Sequence, residues 1–200
     1  MSNPPRQPSF IHVPEDYFVE LPITDIFKQQ QPIEIEIGSG DGSFLAAYSA
    51  ANPQTNFLGI ERLLGRLRKL DRKLARAGVE SVRLMLIEAS YFVRFMVPGE
   101  SIQAIHIYFP DPWPKRRHHK NRLITPEFPN AVLRLLKPGG MIHLRTDDVP
   151  YFELMQEDFG GNTQFKCVPC PESLLSFKTD FEIDFNSRGI PTQHITYQRS

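Results

Sequence analysis

Short apolar segments alternate along the chain with segments of helical periodicity, and that alternation restricts the fold to an α/β architecture with a largely parallel sheet. Ile33, Ile35 and Ile37 make a first strand. Further strands are expected over residues 57–60, 82–87, 104–109 and 141–145, with weaker candidates at 165–168 and 195–197. Helices are expected over 43–51, 126–136 and 151–159, the middle one capped by Thr125 with Pro126 in its first position. Residues 137–140, reading KPGG, predict a turn. The clearest helix carries Leu63, Leu67, Leu70 and Leu74 on one stripe. Arg62, Arg66, Lys69, Lys73 and Arg76 share a second stripe, roughly 100° around the axis. Leucines of this kind pack on a sheet, and the plain reading of the basic stripe is a solubilising face.

At 200 residues the chain fits one domain with a single buried core. It divides into an N-terminal segment (1–31), a cofactor-binding core (32–160), and C-terminal strands with a substrate loop (161–200). Its 40 % apolar content and short apolar runs do not suit a membrane protein. The opening MSNPPRQPSF has neither an apolar signal core nor an Arg-rich amphipathic character, so a cytoplasmic location is expected. Cys167 and Cys170 cannot make a disulfide framework, and with no second ligand pair they do not predict a zinc site. His118 and His119 likewise lack nearby carboxylates or thiols, and no metal is expected.

Charge is balanced overall, with 23 basic and 23 acidic residues, but it is not evenly spread. Residues 62–76 hold seven basic side chains against the single acid Asp71. Residues 115–122 hold five basic side chains, two histidines and no acid. Such asymmetry steers an anionic partner to one face.

Ligands of open α/β sheets bind beyond the carboxyl ends of the strands, where the strand order reverses. Acids stand at five such ends: Glu36 beside the glycine loop, Glu61, Glu88, Asp111 and the Asp147-Asp148 pair. The loop itself reads Gly38-Ser-Gly40-Asp-Gly42, in which small residues let the backbone approach a ligand. Glu61, about twenty residues on, suits a ribose diol in either a dinucleotide or an S-adenosylmethionine site. The loop and Glu61 alone leave those two open. The acids decide between them, because a pyrophosphate avoids surrounding carboxylates, whereas S-adenosylmethionine carries a sulfonium and an ammonium and no phosphate.

The segment PDPWPKRRHHKNRL, residues 110–123, resembles the hallmark of the tRNA (guanine-N7-)-methyltransferase family of class I methyltransferases. EIGSGDG at Glu36, GIE at Gly59, LKPGG at Leu136, TDD at Thr146 and TDFE at Thr179 follow the family in order and spacing. The resemblance runs from Glu34 to about Gly189. It implies a Rossmann-like, mostly parallel seven-stranded sheet with helices on both faces. It also implies methyl transfer from S-adenosylmethionine to guanine N7 at position 46 of the tRNA variable loop. By the same resemblance Glu36, Gly38, Gly40, Glu61, Glu88 and Asp111 line the cofactor site, with Asp111 also catalytic. Lys115, Asp147, Thr179, Asp180, Phe181 and Glu182 would contact the substrate.

Arg116, Arg117, Lys120 and Arg122 are the natural contacts for the tRNA backbone, and the 62–76 stripe would extend their path. Trp113 is either a base-stacking platform or a structural anchor between prolines. The sequence departs from the family in two places. Glu88 stands where relatives more often carry Asp, and only Arg6 precedes Lys28 where relatives often have a longer basic arm. Two other functions stay in view: a methyltransferase acting on an exocyclic amine, since Asp111-Pro112-Trp113 loosely resembles a D-P-P-Y loop, and a non-catalytic RNA-binding module. The extended KRRHHKNRL tail speaks against the first, and the intact glycine loop, Glu61 and Asp111 against the second.

Overall fold

In the computed structural model, which describes residues 9–200, one seven-stranded sheet runs through the molecule. Arg6 and the rest of the first eight residues lie outside the described part. The elements follow in the order β1 (Ile33–Ile37), α1 (Ser43–Ala51), β2 (Asn56–Glu61), α2 (Leu64–Ala77), β3 (Val82–Leu86) and α3 (Ala89–Tyr91), which continues as a π-helical turn (Phe92–Met96). Then come β4 (Ile102–Tyr108), a 3-10 helix (Arg116–Asn121), α4 (Phe128–Leu135), β5 (Leu136–Thr146), α5 (Val149–Gly160) and β6 (Phe165–Val168). The chain ends in α6 (Glu172–Leu175), α7 (Asp180–Ser187) and β7 (Gln193–Arg199).

The strand order is β3-β2-β1-β4-β5-β7-β6, with β1 to β5 parallel and β7 antiparallel to both of its neighbours. Progress along the sheet reverses at β1, since β2 and β3 lie to one side and β4 and β5 to the other. The switch point therefore falls between β1 and β4, directly below the glycine loop.

Alternation assigns the two faces. Ile33, Ile35 and Ile37 of β1, with Ile105, Ile107, Ile142 and Leu144, point into a core closed by Phe92, Phe128, Val132, Met155 and Phe159. Leu21, Ile23 and Phe27 of the N-terminal segment join that layer. On the opposite face Phe57, Val82 and Leu84 pack against Leu45, Leu67, Leu70 and Leu74, so the leucine stripe of α2 lies on the sheet as its spacing requires. Leu63 falls outside it, 44 % exposed as the residue just before the helix. At Gly42, whose φ is 75°, a Cβ would stand 2.0 Å from Leu70 Cδ1, so the α1–α2 contact itself demands glycine.

Three expectations are corrected. The helix predicted from Pro126 begins at Phe128, because Thr125 and Pro126 form the preceding turn, with the Phe128 amide donating to the Thr125 carbonyl. Residues 137–140 fall within the span of β5 and not between two elements, but they have no partner in β4. The register passes from Leu136 opposite Ile102 to Met141 opposite Ala104, and the chain turns there at Gly139, whose φ is 77°, as a bulge in the strand. The stretch at Thr179 is a helix start rather than a loop: the Thr179 hydroxyl accepts the Glu182 amide at 2.9 Å and opens α7.

Candidate functional site

Beyond the carboxyl ends of β1 to β4 lies an open cleft of about 790 Å³. Gly38, Glu61, Glu88 and Asp111 line it, as do Lys120 and Arg122. The strand order separates its walls. Residues after β2 and β3 form one side, and the long segment after β4 forms the other. A second cavity, about 330 Å³, opens elsewhere beside Asn56 and Ser81 and contains none of the expected site residues.

Glu61 is 4 % exposed, and its two carboxylate oxygens accept the amides of Gly40 at 3.1 Å and Leu63 at 2.8 Å. It thus ties the glycine loop to the end of β2 and faces the cleft in a fixed rotamer. Glu88 has a matching arrangement. Its carboxylate caps α3 by accepting from Ser90 and Tyr91 at 2.9 and 2.7 Å. Two carboxylates held by backbone donors on one wall suit a cationic ligand with hydroxyl groups. Gly38 has φ 80° with nothing within 4 Å of a Cβ placed there, which leaves its backbone open to close approach.

Glu36 does not line the cleft. It is 3 % exposed beneath the loop, and its Oε2 has no hydrogen-bond partner. Burial, aided by the nearby carboxylates of Asp41 and Glu61 and opposed by Ser39 and Arg145, pushes its carboxyl up to about 8. The sequence placed it with the cofactor acids; the structure places it one layer deeper.

After β4 the backbone adopts left-handed conformations at Phe109 (φ 53°) and Trp113 (φ 44°), both uncommon for bulky residues. Asp111 stands between them, exposed, with Arg62 3.9 Å from its carboxylate. Arg122 holds the segment in place. Its Nε donates to the Pro112 carbonyl at 2.6 Å, and its guanidinium lies 4.9 Å from the Tyr151 ring centroid. Trp113 lines the cleft and packs edge-on against His118 at 5.7 Å, an arrangement that serves either of its two readings. Lys115, Arg116, Arg117 and Lys120 are exposed in and beside the 3-10 helix.

The remaining expected residues lie outside the cleft lining. Asp147 directly follows β5 and is half-buried. Asp180 reaches the glycine loop, where its amide donates to Ser43 Oγ at 2.8 Å. Phe181 is 48 % exposed with its ring 5.1 Å from that of Phe109. Glu182 is buried, its carboxylate 3.0 Å from Arg145.

Two features escape the sequence reading. Arg94, on the π-helical turn, lines the cleft with Arg62 and Arg66, so the β2–β3 wall also carries a basic rim. Nothing in the periodicity around Arg94 announces this. The other feature is a buried polar row across β1, β4 and β5. His106 stands 2.8 Å from both Glu34 and the Tyr108 hydroxyl, and stacks on His143 at 5.1 Å. His143 is held well below the usual histidine range, first by burial and then by His106 and Arg145. The available signal was polar residues at alternate positions of apolar strands, His106 and Tyr108 in β4, His143 and Arg145 in β5.

A sequence model of the family described as "Putative methyltransferase" matches residues 30–192. The tRNA (guanine-N(7)-)-methyltransferase of Halorhodospira halophila is 36 % identical over 165 residues, 82 % of this chain and 71 % of that protein. The protein of the same name from Nitrosococcus oceani is 34 % identical over 181 residues, 90 % and 77 % of the two chains. Among solved structures, 16S rRNA methyltransferase KamB is similar in fold, with a TM-score of 0.61 at 14 % identity over 85 % of this chain and 88 % of that one.

Proposed function

The chain belongs to the tRNA (guanine-N(7)-)-methyltransferase family, and on that premise we propose that it methylates N7 of a guanine in tRNA, at position 46 of the variable loop. The observation that carries this reading is the cleft at the switch point, where the carboxylates of Glu61, Glu88 and Asp111 share the lining with the cations Arg62, Arg66, Arg94 and Lys120. Carboxylates match a cationic methyl donor, and the cations match a polyanionic acceptor.

S-adenosylmethionine, when bound, supplies a methyl group carried on a sulfonium. The residues present fit it: Glu61 faces the cleft with fixed oxygens suited to a ribose diol, Gly38 leaves the loop backbone open, and Glu88 adds a carboxylate on the same wall. Glu36 lies buried beneath the loop, with an Oε2 that has no hydrogen-bond partner among the described residues.

Guanine N7 has a free lone pair at neutral pH, and no residue has to remove a proton before attack. The chain's work is positioning and electrostatics. Asp111 is exposed at the cleft and accepts hydrogen bonds from guanine N1–H and N2–H₂, a pattern adenine lacks. Its carboxylate also favours the cationic N7-methyl product. The exposed cations Lys115, Arg116, Arg117 and Lys120 hold the tRNA backbone on one side, with Arg62, Arg66 and Arg94 on the other. Arg122 supports this set by fixing Pro112. Asp147 and the start of α7 complete the substrate side, so that substrate contacts come both from the cofactor-binding core over 32–160 and from the C-terminal portion over 161–200. No helix among the described residues is long and apolar enough to cross a membrane, and a tRNA substrate suits the cytoplasm.

The deciding assay incubates the enzyme with labelled S-adenosylmethionine and unmodified tRNA, then identifies the labelled nucleoside after digestion. Label on N7-methylguanosine is expected. Label on an exocyclic amine, or none, would refute the proposal.

A further inference from the structure

Arg145 is 2 % exposed, yet it is among the most heavily hydrogen-bonded side chains near the site. Its guanidinium donates to the Phe177 carbonyl at 2.7 Å, the Leu174 carbonyl at 2.8 Å and Glu182 Oε2 at 3.0 Å. Its Cζ lies 4.3 Å from the Tyr108 ring centroid, and its own carbonyl accepts the Phe109 amide at 2.8 Å. One residue therefore grips both the C-terminal α6–α7 segment and the end of β4, two residues before Asp111. The far side of that segment is fastened as well. Asp180 donates its amide to Ser43, and Lys73 stands 3.3 Å from Asp41 and 3.7 Å from Asp180, joining the glycine loop, α2 and α7.

We propose that Arg145 is a positioning residue that clamps α7 against the β4 end, so that Phe181 and the first turn of α7 form the substrate-side wall beside Phe109 and Asp111. The inference rests on the tRNA methyltransferase reading and assigns Glu182 a role of its own. With its carboxylate buried on Arg145, Glu182 anchors α7 instead of touching the guanine. Arginine suits the task because a planar fork serves two carbonyls and a carboxylate while its face lies on an aromatic ring. A lysine ammonium offers three donors and no plane.

The test uses the full chain, S-adenosylmethionine and a tRNA transcript. Arg145→Met combined with Glu182→Leu removes both buried charges at similar volume, a change that folded proteins commonly tolerate. The expected result is a folded enzyme with its S-adenosylmethionine Kd within about twofold of wild type and its KM for tRNA raised about tenfold. Glu182→Gln keeps an acceptor for Arg145 and should stay within about threefold of wild type in kcat/KM. If the double variant melts early, Arg145→Lys carries the same test, with a tRNA KM raised about threefold at unchanged cofactor affinity.

Wild-type tRNA kinetics in a folded double variant, or in folded Arg145→Lys where that carries the test, would overturn the proposal, leaving an ion pair that serves stability alone. So would Glu182→Gln matching the full loss while Arg145→Lys loses nothing, since Glu182 would then act on the substrate directly. A wild-type enzyme that leaves guanine N7 unmethylated refutes the substrate reading instead, and does so before any variant is made.

Discussion

On the β2–β3 wall of the cleft, Glu61 and Glu88 each have both carboxylate oxygens engaged by backbone amides, whereas on the β4 wall the Asp111 carboxylate faces Arg62 at 3.9 Å and stands in a segment with left-handed backbone at Phe109 and Trp113. The first wall is preorganised for a small ligand of fixed shape. The second holds its acid through backbone conformation and the Arg122–Pro112 hydrogen bond, and sets it beside Arg62 and the exposed cations of the 3-10 helix. Hydrogen-bonded carboxylates give short-range, geometry-dependent recognition. Exposed cations give long-range attraction that salt weakens. The contrast matches a ligand that must sit in one orientation and a polymer that must first be captured.

Four measurements bear on this contrast. Asp111→Ala should lower kcat by about a hundredfold or more while tRNA affinity changes little, because the residue acts at the reacting base. Loss of S-adenosylmethionine binding with guanine selection intact would move Asp111 to the other wall's role. Glu61→Gln should weaken S-adenosylmethionine binding by about tenfold in calorimetry, through loss of one charged acceptor and a looser glycine loop. Unchanged affinity would remove the functional meaning of the preorganised wall.

Arg116→Gln with Arg117→Gln should raise the tRNA Kd about fivefold and lower its log–log salt slope by about one to two. An unchanged slope would leave the 3-10 helix a solvated face.

The smallest expected effect concerns Glu36, below both walls. Its folded-state value, raised from 4.5 to about 8, means that the folded protein keeps a proton which the unfolded chain has released between those values. Its contribution to stability is complete below 4.5 and is lost as pH rises through about 8. Glu36→Gln, neutral at every pH, should therefore gain on wild type in thermal midpoint by a few degrees, roughly 3–6 °C, between pH 6 and 8.5. A constant gap across that range would show that Glu36 is not held protonated.

Much of the cleft was legible from sequence. Strand ends are where an open parallel sheet binds ligands, so Glu61, Glu88 and Asp111 were identifiable once the strands were placed. Glu36 shows the limit of that reasoning. Its position beside the loop suggested contact, but strand alternation turns its side chain under the loop, into a buried layer. Arg122 and Glu182 show another limit. Arg122 reads as a ligand contact from its charge and Glu182 from the family resemblance, and both are engaged internally, by Pro112 and by Arg145.

The sequence by itself determined the alternating architecture, the small-residue loop, the leucine face of α2 and the segregation of charge, because each depends on local periodicity or composition. Only the tertiary structure decided which charges are available to a ligand. Arg94 lines the cleft and Arg145 is buried through contacts between elements far apart in the chain, and no local pattern records those distances.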